Sequence, residues 1–124
     1  MRKNNYITLA KKASSIQINE LKKIKKVFNH SFVKAVDLIL NCKGKVIFAG
    51  VGKSGLIAKK ISATFSSVGI PSFFCDPAQA IHGDMGQIEK KDILIIFSYS
   101  GNTSELNNML KYANRFRIKV IGVA

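Results

Sequence analysis

The stretch VIFAGVGKSG, residues 46–55, decides the fold. Val46, Ile47, Phe48 and Ala49 form a short unbroken apolar run, the pattern of a strand covered on both faces. The run passes directly into a turn, Gly50 to Gly55, with the spacing G-x-G-x-x-G. A helical pattern follows, with Leu56, Ile57, Ile61, Ala63, Phe65 and Val68 as its apolar positions and Gly69 as its stop.

Downstream, the same alternation repeats. Residues 71–75, PSFFC, predict a second strand, and Asp76-Pro77 opens a turn and a short helix through Ile81. His82 to Gly86, HGDMG, reads as loop. Asp92 to Phe97, DILIIF, is the clearest strand, β-branched and apolar, and it ends in Ser98 to Glu105, SYSGNTSE. Leu106, Met109, Leu110 and Ala113 then mark another helix, and residues 119–124 a fourth strand. Alternating strands and helices predict an α/β fold, a doubly wound parallel sheet with right-handed crossovers, for which a flavodoxin-like order is one arrangement. The final apolar strand has no helix after it, which predicts an incomplete sheet whose edge is covered by further sequence or a partner.

Upstream, residues 7–28 read as an amphipathic helix with Leu21, Ile24 and Phe28 on one side and Lys22, Lys23, Lys25 and Lys26 elsewhere. Ser31 is the expected cap of a second helix whose buried stripe is Phe32, Ala35, Val36, Ile39 and Leu40. The expected organisation is N-terminal helices over residues 1–43, packed on an α/β unit over residues 44–124.

The chain has 124 residues with a formal charge of +13, which first suggests nucleic acid or a membrane surface. The distribution argues otherwise. Residues 1–45 hold 11 of the 20 Lys and Arg against only Glu20 and Asp37, and the aromatics there, Tyr6, Phe28 and Phe32, are not interleaved with them as a single-strand binder requires. No apolar run reaches membrane-spanning length, and the start lacks the apolar core of a secretory signal. Cys42 and Cys75 stand alone, with no His at ligand spacing, so packed thiols in a cytoplasmic protein are expected and no metal. His30, at a helix break, reads as a cap or surface residue.

In an open parallel sheet, ligands bind beyond the strand C-termini where the strand order reverses. With the order 2-1-3-4, that reversal brings the Gly50–Gly55 turn against the Ser98–Glu105 turn. The first turn admits three readings. A Walker-A loop needs Gly at position 47, where Ile stands, and is rejected. A dinucleotide site wants an acidic residue after the second strand, and Asp76 is near it. A sugar-phosphate site wants donors, and Lys53 and Ser54 supply them beside Gly52. The second turn favours the last reading. Ser98, Ser100, Thr103 and Ser104 place four hydroxyls around Gly101 at a helix N-terminus, more than capping requires, and suited to a phosphate dianion.

GVGKSGLIAKKISATFSSVGIPSFFCDPAQAIHGDMG followed by SYSGNTSE resembles the SIS-domain part of bacterial arabinose-5-phosphate isomerases. The S-x-S-G-x-T segment is similar to SIS domains broadly; GKSG, PSFF and HGDMG in this order narrow the resemblance to that branch. It covers about residues 30–124. It implies interconversion of ribulose 5-phosphate and arabinose 5-phosphate without an organic cofactor, in a tetramer, feeding Kdo synthesis for lipopolysaccharide or capsule. It places phosphate-binding hydroxyls on Ser98, Ser100 and Thr103, an active-site lysine on Lys53, a glutamate on Glu105 and the HGD histidine on His82. It also implies a longer protein, with further strands, another active-site glutamate and histidine, and a pair of CBS domains. Two other expectations are kept open: a non-catalytic SIS sugar-phosphate sensor, and a dinucleotide-binding module.

The chemistry asks for a base that moves a proton between C1 and C2, a shuttle for the hydroxyl protons and a group that stabilises the enediolate. Glu105 is the candidate base, His82 the candidate shuttle and Lys53 the candidate countercharge. Glu105 also suits the first turn of a helix simply as an acid.

Overall fold

A computed structural model describes residues 2–124, with side chains from Asn5 onward. The chain divides into two compact units, Met1–Val36 and Asp37–Ala124.

In the first unit, helix α1 spans Arg2–Lys23 and gives way to a 3-10 turn, Ile24–Val27. Helix α2, His30–Leu40, begins here and ends in the second unit. Its cap is Asn29, not Ser31: the Asn29 side-chain oxygen accepts from the backbone N–H groups of Ser31 at 2.9 Å and Phe32 at 3.4 Å. A cap must precede the helix it closes, and Ser31 already lies inside. Every residue from Asn5 to Lys34 is exposed. The expected buried positions Leu21, Ile24, Phe28 and Phe32 are therefore open, although Phe28 and Phe32 meet edge to face with centroids 5.0 Å apart. Leu40 is also exposed, at 76%. Only the end of the expected stripe is used in a core, where Ile39, with Leu38, packs inside the second unit.

The second unit is a parallel sheet with helices on both faces. Strands β1 (Val46–Gly50), β2 (Ser72–Phe74), β3 (Ile93–Phe97) and β4 (Lys119–Val123) lie in the order β2-β1-β3-β4. β1 and β3 pair in full, Val46 against Ile93 through Gly50 against Phe97. Side chains alternate across a strand, so each central strand supplies two cores. Ile47, Ala49, Leu94 and Ile96 face one side and pack with Leu106, Met109 and Ala113 of helix α5 (Ser104–Phe116) and with Ala80 of the short helix α4 (Pro77–Ala80). Val46, Phe48, Ile93 and Ile95 face the other side and pack with Ala58, Ile61 and Phe65 of helix α3 (Lys53–Ser67).

Two helices bury the expected faces in part: Ile61 and Phe65 of α3 pack against the core, and Leu106, Met109 and Ala113 of α5 are buried. On α3 the buried residues are Gly55, Ala58 and Ser62, while Leu56 and Val68 are 71% and 68% exposed. Small residues let the helix axis approach the sheet, with Ile61 and Phe65 packed beside them and Leu56 turned away. On α5, Leu110 is exposed beside buried Met109. Helix α4 follows Asp76, whose carboxylate accepts from Ala78 N–H at 2.9 Å. The HGDMG loop closes through a 3-10 turn, Asp84–Gln87.

At the N-terminal ends of the strands, Asp92 is fully buried. Its carboxylate accepts from Lys45 N–H at 2.7 Å and Glu89 N–H at 2.8 Å, with the Lys45 ammonium at 3.3 Å. Burial lowers the Lys45 amine, but Asp92 and then Glu89 outweigh it and hold the amine above its usual value. Hydrogen bonds from Lys91 and Lys45 hold the Glu89 carboxyl below its usual value. Cys75 is a buried thiol, pushed up to about 11 by burial and by the charges of Asp84 and Asp76. Among the described residues, no helix is long and apolar enough to cross a membrane.

Candidate functional site

Because β1 and β3 are neighbours, their C-terminal turns are neighbours too. The β1–α3 turn needs its glycines for separate reasons. Gly52 has φ +60° and ψ −129°, a conformation that side chains with a Cβ resist. Gly55 is a matter of approach: a Cβ there would lie 2.5 Å from the Gly50 carbonyl oxygen. The turn thus delivers the N-terminus of α3, with its free N–H groups, tight against the tip of β1.

The β3–α5 turn is organised by its own hydroxyls. Gly101, at φ +69°, donates its N–H to Ser98 Oγ at 2.9 Å, and Asn102 N–H reaches Ser100 Oγ at 3.4 Å. Each serine oxygen accepts there and keeps its own hydrogen for another acceptor. Thr103 occupies the cap position of α5 in extended backbone, yet its hydroxyl makes no capping bond. Capping therefore does not account for the Thr103 hydroxyl.

The two turns share a cavity of about 230 Å³. Ser54 from the first turn and Ser98, Ser100 and Thr103 from the second line it, above Phe97 and Leu106. No ionisable carboxylate or amine lines it. Hydroxyl donors and two helix N-termini make it a neutral hollow suited to an anion. A second cavity, about 360 Å³, shares Val51 with the first and is lined by Gly52, Lys59, Phe74, Asp76 and Glu105 among others.

The expected site residues thus divide. Ser54, Ser98, Ser100 and Thr103 come together in one hollow. Gly52 and Glu105 line the other, and Lys53, His82 and Gly101 line neither. Lys53 and His82 are exposed. The Glu105 carboxylate accepts from its own backbone N–H and from the Ser104 hydroxyl at 2.8 Å, and these bonds hold it below the usual carboxylate value. It is bound as a first-turn helix acid here, the role that any acid at that position would adopt. Sequence reasoning missed Lys59 and Tyr99. Lys59 falls one helical turn beyond the motif, and Tyr99, 97% exposed, sits between the two serines of the loop. Neither has a signal of its own outside the fold.

The SIS domain family model matches residues 39–124. The chain belongs to the SIS-domain family. Over 92 residues it is 46% identical to arabinose 5-phosphate isomerase GutQ of Escherichia coli K12, covering 74% of this chain and 29% of that protein. Over 122 residues it is 41% identical to a Haemophilus influenzae protein named "Probable arabinose 5-phosphate isomerase", covering 98% and 36%. The chain therefore spans about a third of the length of these curated relatives. Among solved structures, the Escherichia coli CFT073 protein c3406 in complex with arabinose 5-phosphate superposes with a TM-score of 0.77 at 38% identity, covering 92% of this SIS chain and 62% of that one. The parallel order and the N-terminal helices agree with the fold read from the sequence.

Proposed function

We propose that this SIS chain forms part of a cytoplasmic, homotetrameric aldose–ketose isomerase that interconverts D-ribulose 5-phosphate and D-arabinose 5-phosphate for Kdo synthesis. The observation that carries the reading is the convergence of Ser54 with Ser98, Ser100 and Thr103 on one hollow at two helix N-termini. The likeness to arabinose 5-phosphate isomerases supports the choice of sugar.

In this reading the phosphate dianion sits in the serine-lined hollow. Hydroxyl and backbone N–H donors hold it without a fixed countercharge, which fixes one end of the open-chain sugar. The adjoining cavity takes the carbon chain. Glu105 moves the proton between C1 and C2 once its carboxylate leaves the Ser104 hydroxyl, and Lys53 and His82 reach in from the exposed turns to balance the enediolate and carry hydroxyl protons. The bonds at Glu105 also favour a second reading. A carboxylate committed to its own helix suits a sensor that binds a sugar phosphate and releases it unchanged.

Calorimetric titration with arabinose 5-phosphate tests the cradle. Ser100→Ala should weaken binding about tenfold to a hundredfold, the loss of one hydrogen bond to a charged group. Unchanged affinity removes the assignment. Glu105→Gln should keep that affinity while turnover falls roughly 100- to 10,000-fold. Retained turnover excludes Glu105 as the base, and wild-type binding with no turnover selects the sensor.

A further inference from the structure

We propose that the opposite end of the sheet carries a second anion site, shaped for a small molecule bearing a diphosphate. A cavity of about 140 Å³ opens there. Its walls include Ile93 and Lys119, the first residues of β3 and β4, whereas the serine-lined hollow lies past the last residues of β1 and β3. Five residues of strand separate the two ends by about 15 Å. The site is therefore distinct and does not rest on the isomerase reading.

Four lysines from three separate segments line this cavity. Lys43 comes from the turn before β1, Lys90 and Lys91 from the turn before β3, and Lys119 from β4 itself. The nearby carboxylates are already engaged. Glu89 pairs with Lys45 at 3.4 Å and Lys91 at 3.2 Å. Asp92 is buried against Lys45 and two backbone N–H groups. Among the described residues, Lys43, Lys90 and Lys119 have no ion pair. Like charges gathered around one hollow repel, and a bound anion converts that repulsion into attraction.

The geometry also selects the ligand. The volume corresponds to about five waters at ~30 Å³ each, room for one or two phosphate groups. Three lining lysines without an ion pair match a diphosphate in charge. No aromatic side chain lines the cavity on which a base would stack, so an extended nucleic acid fits poorly. Cys42 lies in the wall and offers a reporter, since it is half-buried while the other thiol, Cys75, is buried.

The probe is inorganic pyrophosphate, titrated into the isotope-labelled 124-residue chain at constant ionic strength and followed by amide NMR. Saturable shifts at Lys43, Lys91, Ile93 and Lys119 are expected, with slower alkylation of Cys42 by iodoacetamide at saturation. Lys43→Gln/Lys90→Gln/Lys119→Gln should weaken these shifts at least about tenfold, equivalent to ~1.4 kcal/mol, and Ser100→Ala should leave them unchanged. Single Lys90→Gln gives the same direction if the triple variant does not fold. The proposal is overturned if shifts appear only around Ser98 to Thr103, if sodium chloride of equal ionic strength reproduces them, or if an RNA oligonucleotide binds the lysines more tightly than pyrophosphate.

Discussion

Glu105 shows how one side chain holds two roles apart. Its own N–H and the Ser104 hydroxyl stabilise the charged form, so its titration midpoint in the folded chain lies below the ordinary value. A carboxyl depressed on folding contributes stability above its unfolded pKa, about 4.3, and that contribution is lost as pH falls through the lower folded value. Ser104→Ala removes one of the two donors. The Glu105 midpoint, followed by carbon-detected NMR, should then move up toward the ordinary value, and an unmoved midpoint would remove the hydroxyl as a cause. Asp92 is the contrasting acid, buried and purely architectural. Its two oxygens tie the residues before β1 and β3 together, and Gly44 is required beside it because a Cβ would collide with the Asp92 carboxylate and the Lys91 carbonyl. Asp92→Ala leaves two N–H groups and the Lys45 ammonium without that acceptor, and should lower unfolding free energy by about 3 kcal/mol in urea titration. A loss under about 0.5 kcal/mol, the range of ordinary surface changes, would contradict the role assigned to it.

At the scale of elements, the informative case is α3 on β1. Its buried residues are Gly55, Ala58 and Ser62, and Gly55 touches the Gly50 carbonyl too closely for a methyl group. Gly55→Ala should push the helix off the strand, at about 1–3 kcal/mol, or roughly 5 °C or more in Tm. Gly86→Ala is the control, because nothing lies within 4 Å of a Cβ there and its φ is ordinary. Equal Tm for the two variants would refute the packing argument. The same helix shows what the sequence hides. Of the positions that periodicity marks, Ile61 and Phe65 pack against the core, yet Leu56, Ile57 and Val68 are exposed. A close helix–sheet approach is encoded by small residues, which carry no hydrophobic signal, and the decisive constraint is a distance to another element. Likewise Asn29 and Ser31 are both good caps by type, and only the start of α2 at His30 chooses between them. The two binding turns were legible because glycine and hydroxyl residues at strand ends have local reasons to be there. Lys59 and Tyr99 were not, since their place near the cavities exists only after β1, α3 and β3 are assembled.

Across the whole molecule, the parallel α/β sheet followed from the alternation of strands and helices, and the core from the two central strands. β1 is buried along its whole length and β3 at four of its five residues. Burial elsewhere was not legible from one chain's pattern, because an apolar stripe says that a face can be covered without naming what covers it. This contrast gives a measurable hierarchy. Helix α1 has 22 residues, and its described side chains are exposed throughout. A helix without tertiary burial is marginal in water and opens locally, whereas amides of a doubly covered strand exchange through large-scale opening. In dilute solution, amides of α1 should therefore exchange at least about a hundredfold faster than those of β1 and β3, a difference of ~2.7 kcal/mol in opening free energy. Hydrogen exchange read by mass spectrometry, repeated across protein concentrations, decides it. Protection of α1 equal to that of β3 at every dilution would mean that its apolar residues are covered within one chain, contrary to their exposure here. Protection that rises with concentration would instead identify Leu21, Phe28 and their neighbours as a face closed by a second copy.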